Sequence, residues 1–110
     1  MIEDTIARLE ATIKKIGAAS FGKKAELLRL LATLRREVEQ LSKTHAEQAR
    51  SIAGFTEVAA HESLRRDKSP ELRELSVTGL SLSVRGFEAS HPELVESVNE
   101  ICSLLSSIGI

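Results

Sequence analysis

The sequence predicts an all-α fold, in which helical hairpins surround one long coiled-coil-like helix in a dimeric helical bundle. Two observations lead to this prediction. Apolar residues recur every three or four positions over most of the 110 residues, as on one face of a helix. Between residues 27 and 59 the repeat keeps a period of 3.5 residues without a slip, which is typical of a coiled-coil seam. The length is that of one domain, so we expect a single helical domain over residues 1–110.

Helix 1 is expected over residues 2–16. Its stripe steps by four and three residues through Ile2, Ile6, Leu9, Ile13 and Ile16. The segment GAASFG at residues 17–22 follows, and its two glycines and short length suit a turn between antiparallel helices.

Helix 2 is expected over residues 23–67, a segment without proline. Ten positions form its seam, and eight of them are apolar: Leu27, Leu31, Leu34, Val38, Leu41, His45, Gln48, Ile52, Phe55 and Ala59. Gly54 weakens the helix by about 1 kcal/mol relative to alanine and is the expected position of any break.

Helix 3 is expected over residues 70–87, because Ser69 is a good N-cap and Pro70 suits the first helical position. Residues 76–86 allow two interpretations. Val77, Leu80, Val84 and Phe87 step as in a helix, whereas alternating apolar residues would also suit a strand that pairs across a dimer. We expect the helix.

Helix 4 is expected over residues 91–108, with a stripe through Leu94, Val98, Ile101, Leu105 and Ile108. Ser90 and Glu93 have the spacing of a capping box, in which each side chain bonds to the backbone N–H of the other residue. Gly109 suits a helix terminator.

A continuous helix 2 would be about 67 Å long, which is far more than a compact domain of this size can cover. We therefore expect a homodimer that buries helix 2 against a second copy. The expected interface residues are Leu34, Val38, Leu41, His45, Gln48, Ile52 and Phe55.

The two polar seam residues, His45 and Gln48, allow two interpretations. The seam could face water at this point. Alternatively, two copies of helix 2 could cross antiparallel here, so that a buried polar layer would set the register of the dimer and respond to pH near 6.5.

The composition argues against several classes of partner. Fifteen Lys and Arg residues balance sixteen Asp and Glu residues, and three Phe are the only aromatic residues besides histidine. A nucleic-acid interface needs a basic surface and often stacking rings, so no nucleic-acid partner is expected. No apolar run is long enough for a membrane span, so no membrane partner is expected either. The single cysteine and the absence of a signal-peptide pattern favour the cytoplasm.

No pattern predicts an enzyme: no catalytic residue, cofactor or metal ligand is expected. A small metal-binding bundle is the first alternative, because Glu88 and His91 have an E-x-x-H spacing and Glu57 and His61 lie four residues apart. Weak binding to nucleic acid or a membrane surface through the scattered basic pairs is the second. Cys102 borders an apolar stripe, which favours a buried, unreactive thiol.

The C-terminal quarter, GFEASHPELVESVNEICSLLSSIGI, resembles a family of short bacterial proteins of unknown function. The resemblance is carried by Phe87, Glu88, His91, Pro92, Leu94, Gly109 and Ile110. It implies a small helical protein without an assigned activity, and it lends no catalytic residue. The leading hypothesis is therefore a non-enzymatic, oligomeric interaction or scaffold protein.

Overall fold

The computed structural model describes residues 2–15 and 21–108, and 84% of this part of the chain is helical. Its five helices are α1 (Ile2–Lys15), α2 (Phe21–Ser42), α3 (Ala46–Leu64), α4 (Pro70–Ser83) and α5 (Pro92–Ile108). No strand occurs in the described ranges, so the all-α prediction is confirmed, and the helical interpretation of residues 76–86 is correct as far as Ser83. Ile16, the start of the 17–22 turn and the Gly109 terminator lie outside the described residues.

The long helix predicted over residues 23–67 is wrong. It consists of two helices, and the chain leaves α2 at residues 43–45 rather than at Gly54. The backbone N–H groups of three residues donate hydrogen bonds to carbonyls in the last turn of α2: Lys43, Thr44 and His45. The Thr44 hydroxyl also bonds to the carbonyl of Leu41, and a hydroxyl that competes for backbone carbonyls in this way favours a helix end.

This break removes the argument that a single chain cannot cover its own apolar seam. The molecule measures 37 × 25 × 21 Å with a radius of gyration of 12.9 Å, so a helix of about 67 Å has no place in it. The seam instead folds back on itself, and α3 packs against α2 within the same chain.

Helix α3 lies against all four other helices. Its buried face is made mainly of small side chains, which let four neighbours approach closely: Ala49, Ala53, Thr56, Ala59, Ala60 and Ser63. Ile52 is its largest fully buried residue. The larger core side chains come from the surrounding helices, among them Ile6, Leu31, Leu34, Leu80, Leu94 and Ile101.

Helix α4 begins as predicted. The Ser69 hydroxyl accepts a hydrogen bond of 3.3 Å from the N–H of Leu72, and Pro70 occupies the first turn. The helix ends four residues earlier than expected, because the following turn places Gly86 at φ 97°, a left-handed conformation that favours glycine. The Glu88 carboxylate accepts from the N–H of Gly86 at 2.9 Å and stabilises this turn.

Helix α5 begins at Pro92, one residue later than predicted. The Ser90–Glu93 capping box is not formed, since the Ser90 hydroxyl lies 2.9 Å from Nδ1 of His91 instead. His91 precedes the first helical residue, and its carbonyl accepts from the N–H of Val95.

Candidate interaction surface

A hairpin of α3 and α4 forms one side of the molecule. The short connection of residues 65–69 returns the chain along α3, so that Phe55 of α3 meets Gly79 of α4. A Cβ atom at Gly79 would lie 2.6 Å from Cδ1 of the Phe55 ring. The ring can therefore rest on α4 only because residue 79 has no side chain.

Within residues 5–15 and 22–108, for which side-chain exposure is described, the exposed large apolar side chains all lie on this hairpin. Phe55 and Val58 belong to α3 and are 42% and 47% exposed. Three leucines belong to α4, and Leu75 is the most exposed of the five at 69%. We name this surface the hairpin face, and it consists of Phe55, Val58, Leu72, Leu75 and Leu82.

Helix α4 carries apolar residues on two faces. Leu80 on its inner face, and Val84 directly after its last residue, pack into the core. Its outer stripe runs through Leu72, Leu75, Gly79 and Leu82 at intervals of three, four and three residues. A helix that is apolar on more than its core-facing side has a second apolar surface, and exposed apolar patches are a common feature of interaction sites.

The interface residues predicted from the coiled-coil seam lie in three places: the core, the start of α3 and the hairpin face. Leu34, Val38, Leu41 and Ile52 are fully buried in the core of their own chain, because α2 and α3 fold against each other. They offer no surface to a second copy in this fold.

The polar seam residues His45 and Gln48 are exposed at the start of α3. The idea that they form the crossing point of two long helices loses its premise, since no continuous helix passes through them. Phe55 is the only predicted interface residue that belongs to the hairpin face.

The other four residues of the hairpin face were not predicted. The signal for the three leucines is present in the sequence, because Leu72, Leu75 and Leu82 share a helical face with Gly79. This second apolar face was missed because the same segment also contains the core-facing stripe and allows a strand over residues 76–86. Exposure could not be assigned before the packing of α4 was known.

Three rings meet at one end of the molecule. His45 follows α2, whereas Phe87 and His91 belong to the connection between α4 and α5. Each pair is perpendicular, with ring centroids 5.4 Å apart for His45 and Phe87, 5.5 Å for Phe87 and His91, and 6.3 Å for the two histidines. Such edge-to-face contacts stabilise the packing of the two connections.

The pairs considered for a metal site serve other contacts. Glu88 bonds to the Gly86 N–H, and Glu57 lies 4.0 Å from Arg8 of α1. Nε2 of His61 is 3.9 Å from the Glu62 carboxylate. Among the described residues, no three His, Cys, Asp or Glu side chains are grouped so that they could hold a metal ion together.

Cys102 is half-buried between α5 and α4. Its Sγ atom donates to the carbonyl of Val77 at 3.7 Å. Burial disfavours the thiolate and raises the pKa of the Cys102 thiol from 9.0 to about 11. The thiol therefore stays protonated near neutral pH, where it is a poor nucleophile.

The comparisons with known proteins give one match. A family model described as Domain of unknown function (DUF4404) matches residues 27–110, which include α3, α4 and α5 and most of α2. No curated protein and no solved structure matches the chain. None of the helices in the described ranges is long and apolar enough to cross a membrane.

Proposed function

Because the chain belongs to the DUF4404 family, whose function is unassigned, we propose its function from its surface: a non-enzymatic helical scaffold protein that pairs with a second copy through the hairpin face. The observation that carries this proposal is that, within residues 5–15 and 22–108, the large exposed apolar side chains all belong to α3 and α4. The predicted cytoplasmic location remains a prediction of the sequence.

The size of the hairpin face suits a dimer. A standard protein interface takes about 800 Å² from each partner, and somewhat more than half of that area is apolar. At about 25 cal/mol per Å², the roughly 1.5–3 kcal/mol for fully burying a Val, Leu or Phe side chain corresponds to about 60–120 Å², so five side chains that are about half exposed offer on the order of 150–300 Å². The hairpin face thus supplies a large part of the apolar area that each partner of such a dimer contributes.

The shape of the hairpin face favours a second copy over a single partner helix. The face spans two antiparallel helices. The outer stripe of α4 consists of uncharged residues, namely Leu72, Leu75, Gly79 and Leu82. Two such hairpins related by a two-fold axis form a four-helix layer in which each copy buries the same surface.

Light scattering coupled to size exclusion tests the pairing at tens of micromolar chain. The expected mass is twice the 12.0 kDa of one chain. Leu75→Glu should give a monomer, because a buried unpaired carboxylate disfavours the interface. Ala25→Glu places the same charge at an exposed position on α2 and should leave the dimer intact. A parent chain that is monomeric under these conditions would refute the proposal.

A further inference from the structure

We infer that the two copies meet at the hairpin face with each helix antiparallel to its counterpart, about a two-fold axis level with Val77. In this arrangement Leu75 of each copy packs on Phe55 and Gly79 of the other. The inference rests on the pairing proposed above and adds its geometry. It makes Phe55 and Gly79 together the docking site for a leucine side chain of the second copy.

The outer stripe of α4 has one projecting position and one flat position. Leu75 is the most exposed residue of the hairpin face, whereas Gly79 has no side chain and the Phe55 ring lies across it. A parallel pairing would set the two Leu75 side chains against each other and leave nothing opposite Gly79. An antiparallel pairing places a leucine on each flat position, and interfaces are stable when their centres pack as closely as this.

The outer stripe also has the same spacing in both directions along the helix. Leu72, Leu75, Gly79 and Leu82 follow one another at intervals of three, four and three residues, so their midpoint is residue 77. A two-fold axis at this level brings Leu72 opposite Leu82 and Leu75 opposite Gly79, as a self-complementary interface requires. Val77 itself packs against the core and leaves the axis unobstructed.

Helix α3 gives the same level for the axis. Because Phe55 lies against Gly79 and the two helices are antiparallel, Glu57 lies level with the midpoint of the α4 stripe. The exposed apolar residues of α3, Phe55 and Val58, are centred within one residue of this level. The Glu57 carboxylate lies 4.0 Å from Arg8 of α1, a helix that packs on α2 and α3. One axis therefore buries the apolar residues of both helices of the hairpin.

Disulfide crosslinking between single-cysteine chains tests the direction of the pairing, with non-reducing electrophoresis as the readout. In a Cys102→Ala background, one chain carries Leu72→Cys and another carries Leu82→Cys. Their equimolar mixture should form a covalent dimer at least tenfold faster than either chain alone. In antiparallel copies, the two residues 72 are about 15 Å apart along the helix, whereas a disulfide joins Cα atoms within about 7 Å.

The failure of this geometry differs from the failure of the pairing itself. Covalent dimers of either single-cysteine chain alone would show a parallel arrangement and overturn the inference. A mixture that is dimeric by light scattering but does not crosslink would also overturn it, and would leave the proposed function intact. A monomeric parent chain would overturn both.

A second cysteine pair keeps all five apolar side chains of the hairpin face in place. Glu71→Cys and Ser83→Cys lie beside the stripe, each six residues from its midpoint. Their mixture should crosslink as the first mixture does, and each chain alone should not. Should the leucine variants fail to fold, as circular dichroism would show, this pair decides: a dimeric mixture without crosslinks overturns the inference.

Discussion

Two buried hydroxyl groups of α3 differ in how they are satisfied. The Thr56 hydroxyl donates to the carbonyl of Ile52 at 2.7 Å, within its own helix. The Ser63 hydroxyl is also fully buried, but no hydrogen-bond partner for it occurs among the described residues. A buried polar group without a partner has lost its hydration without compensation.

Ser63→Ala should therefore raise the free energy of unfolding by about 1 kcal/mol, because it removes an unsatisfied polar group and leaves a small side chain in place. Thr56→Val is the matched control, and it should lower stability by up to about 1 kcal/mol, since it removes a hydroxyl that is bonded. Urea unfolding at one fixed chain concentration measures both. A loss of stability in Ser63→Ala would mean that this hydroxyl has a partner, such as a buried water molecule.

At the scale of the element, the packing of α3 against α4 includes one contact that depends on a glycine. Glycine is an unfavourable residue in a helix, yet Gly79 lies in the middle of α4, where its missing side chain makes room for the Phe55 ring. The ring is 42% exposed, so it can move outward when space is lost. The local helical preference of α4 and its packing against α3 are thus in conflict at this residue.

A double-mutant cycle measures this conflict. In a Phe55→Ala background, Gly79→Ala should stabilise the protein by about 1 kcal/mol, which is the helix preference of alanine over glycine. In the parent background the same change should stabilise by less, because the new Cβ displaces the ring. Thermal unfolding of the four chains gives the coupling. Equal effects in the two backgrounds would show that the ring and residue 79 do not interact.

The break between α2 and α3 is also a property of the elements, and it depends on hydroxyl groups at the end of α2. Leu41 and Ile52 continue one seam in the sequence, and each is fully buried. The residues between them, from Ser42 to His45, include hydroxyl groups that bond to the carbonyls of Glu39 and Leu41 and end the helix. The polar seam positions His45 and Gln48 mark this end, and their polarity follows from exposure in a single chain.

At the scale of the whole molecule, pairing through the hairpin face makes stability depend on chain concentration. A dimer that dissociates on unfolding gains stability with concentration, so a tenfold increase should raise the unfolding temperature by about 3 °C. Differential scanning calorimetry between 5 and 500 µM, roughly, checks this expectation. Leu75→Glu should lose the concentration dependence, whereas the same unfolding temperature for the parent chain across the range would exclude a dimer.

The periodic spacing of isoleucine, leucine and valine by itself determined that the chain is helical, and it indicated many of the residues that enter the core. Ile6, Leu31, Val98 and Leu105 are buried as their stripes predict. Local chemistry likewise determined the start of α4 at Ser69, since an N-cap bond joins residues three positions apart. These features depend on neighbours along the chain, and the sequence contains that information directly.

Only the tertiary structure decided which apolar residues remain at the surface. Leu34 and Leu75 each lie on an apolar stripe of a helix, yet Leu34 is fully buried and Leu75 is 69% exposed. The difference arises because a break of three residues after Ser42 turns α3 back against α2, so that one chain covers its own seam and leaves the outer face of α4 open. Burial depends on contacts between residues far apart in sequence, and a spacing pattern along one helix does not specify which of its apolar faces another helix covers.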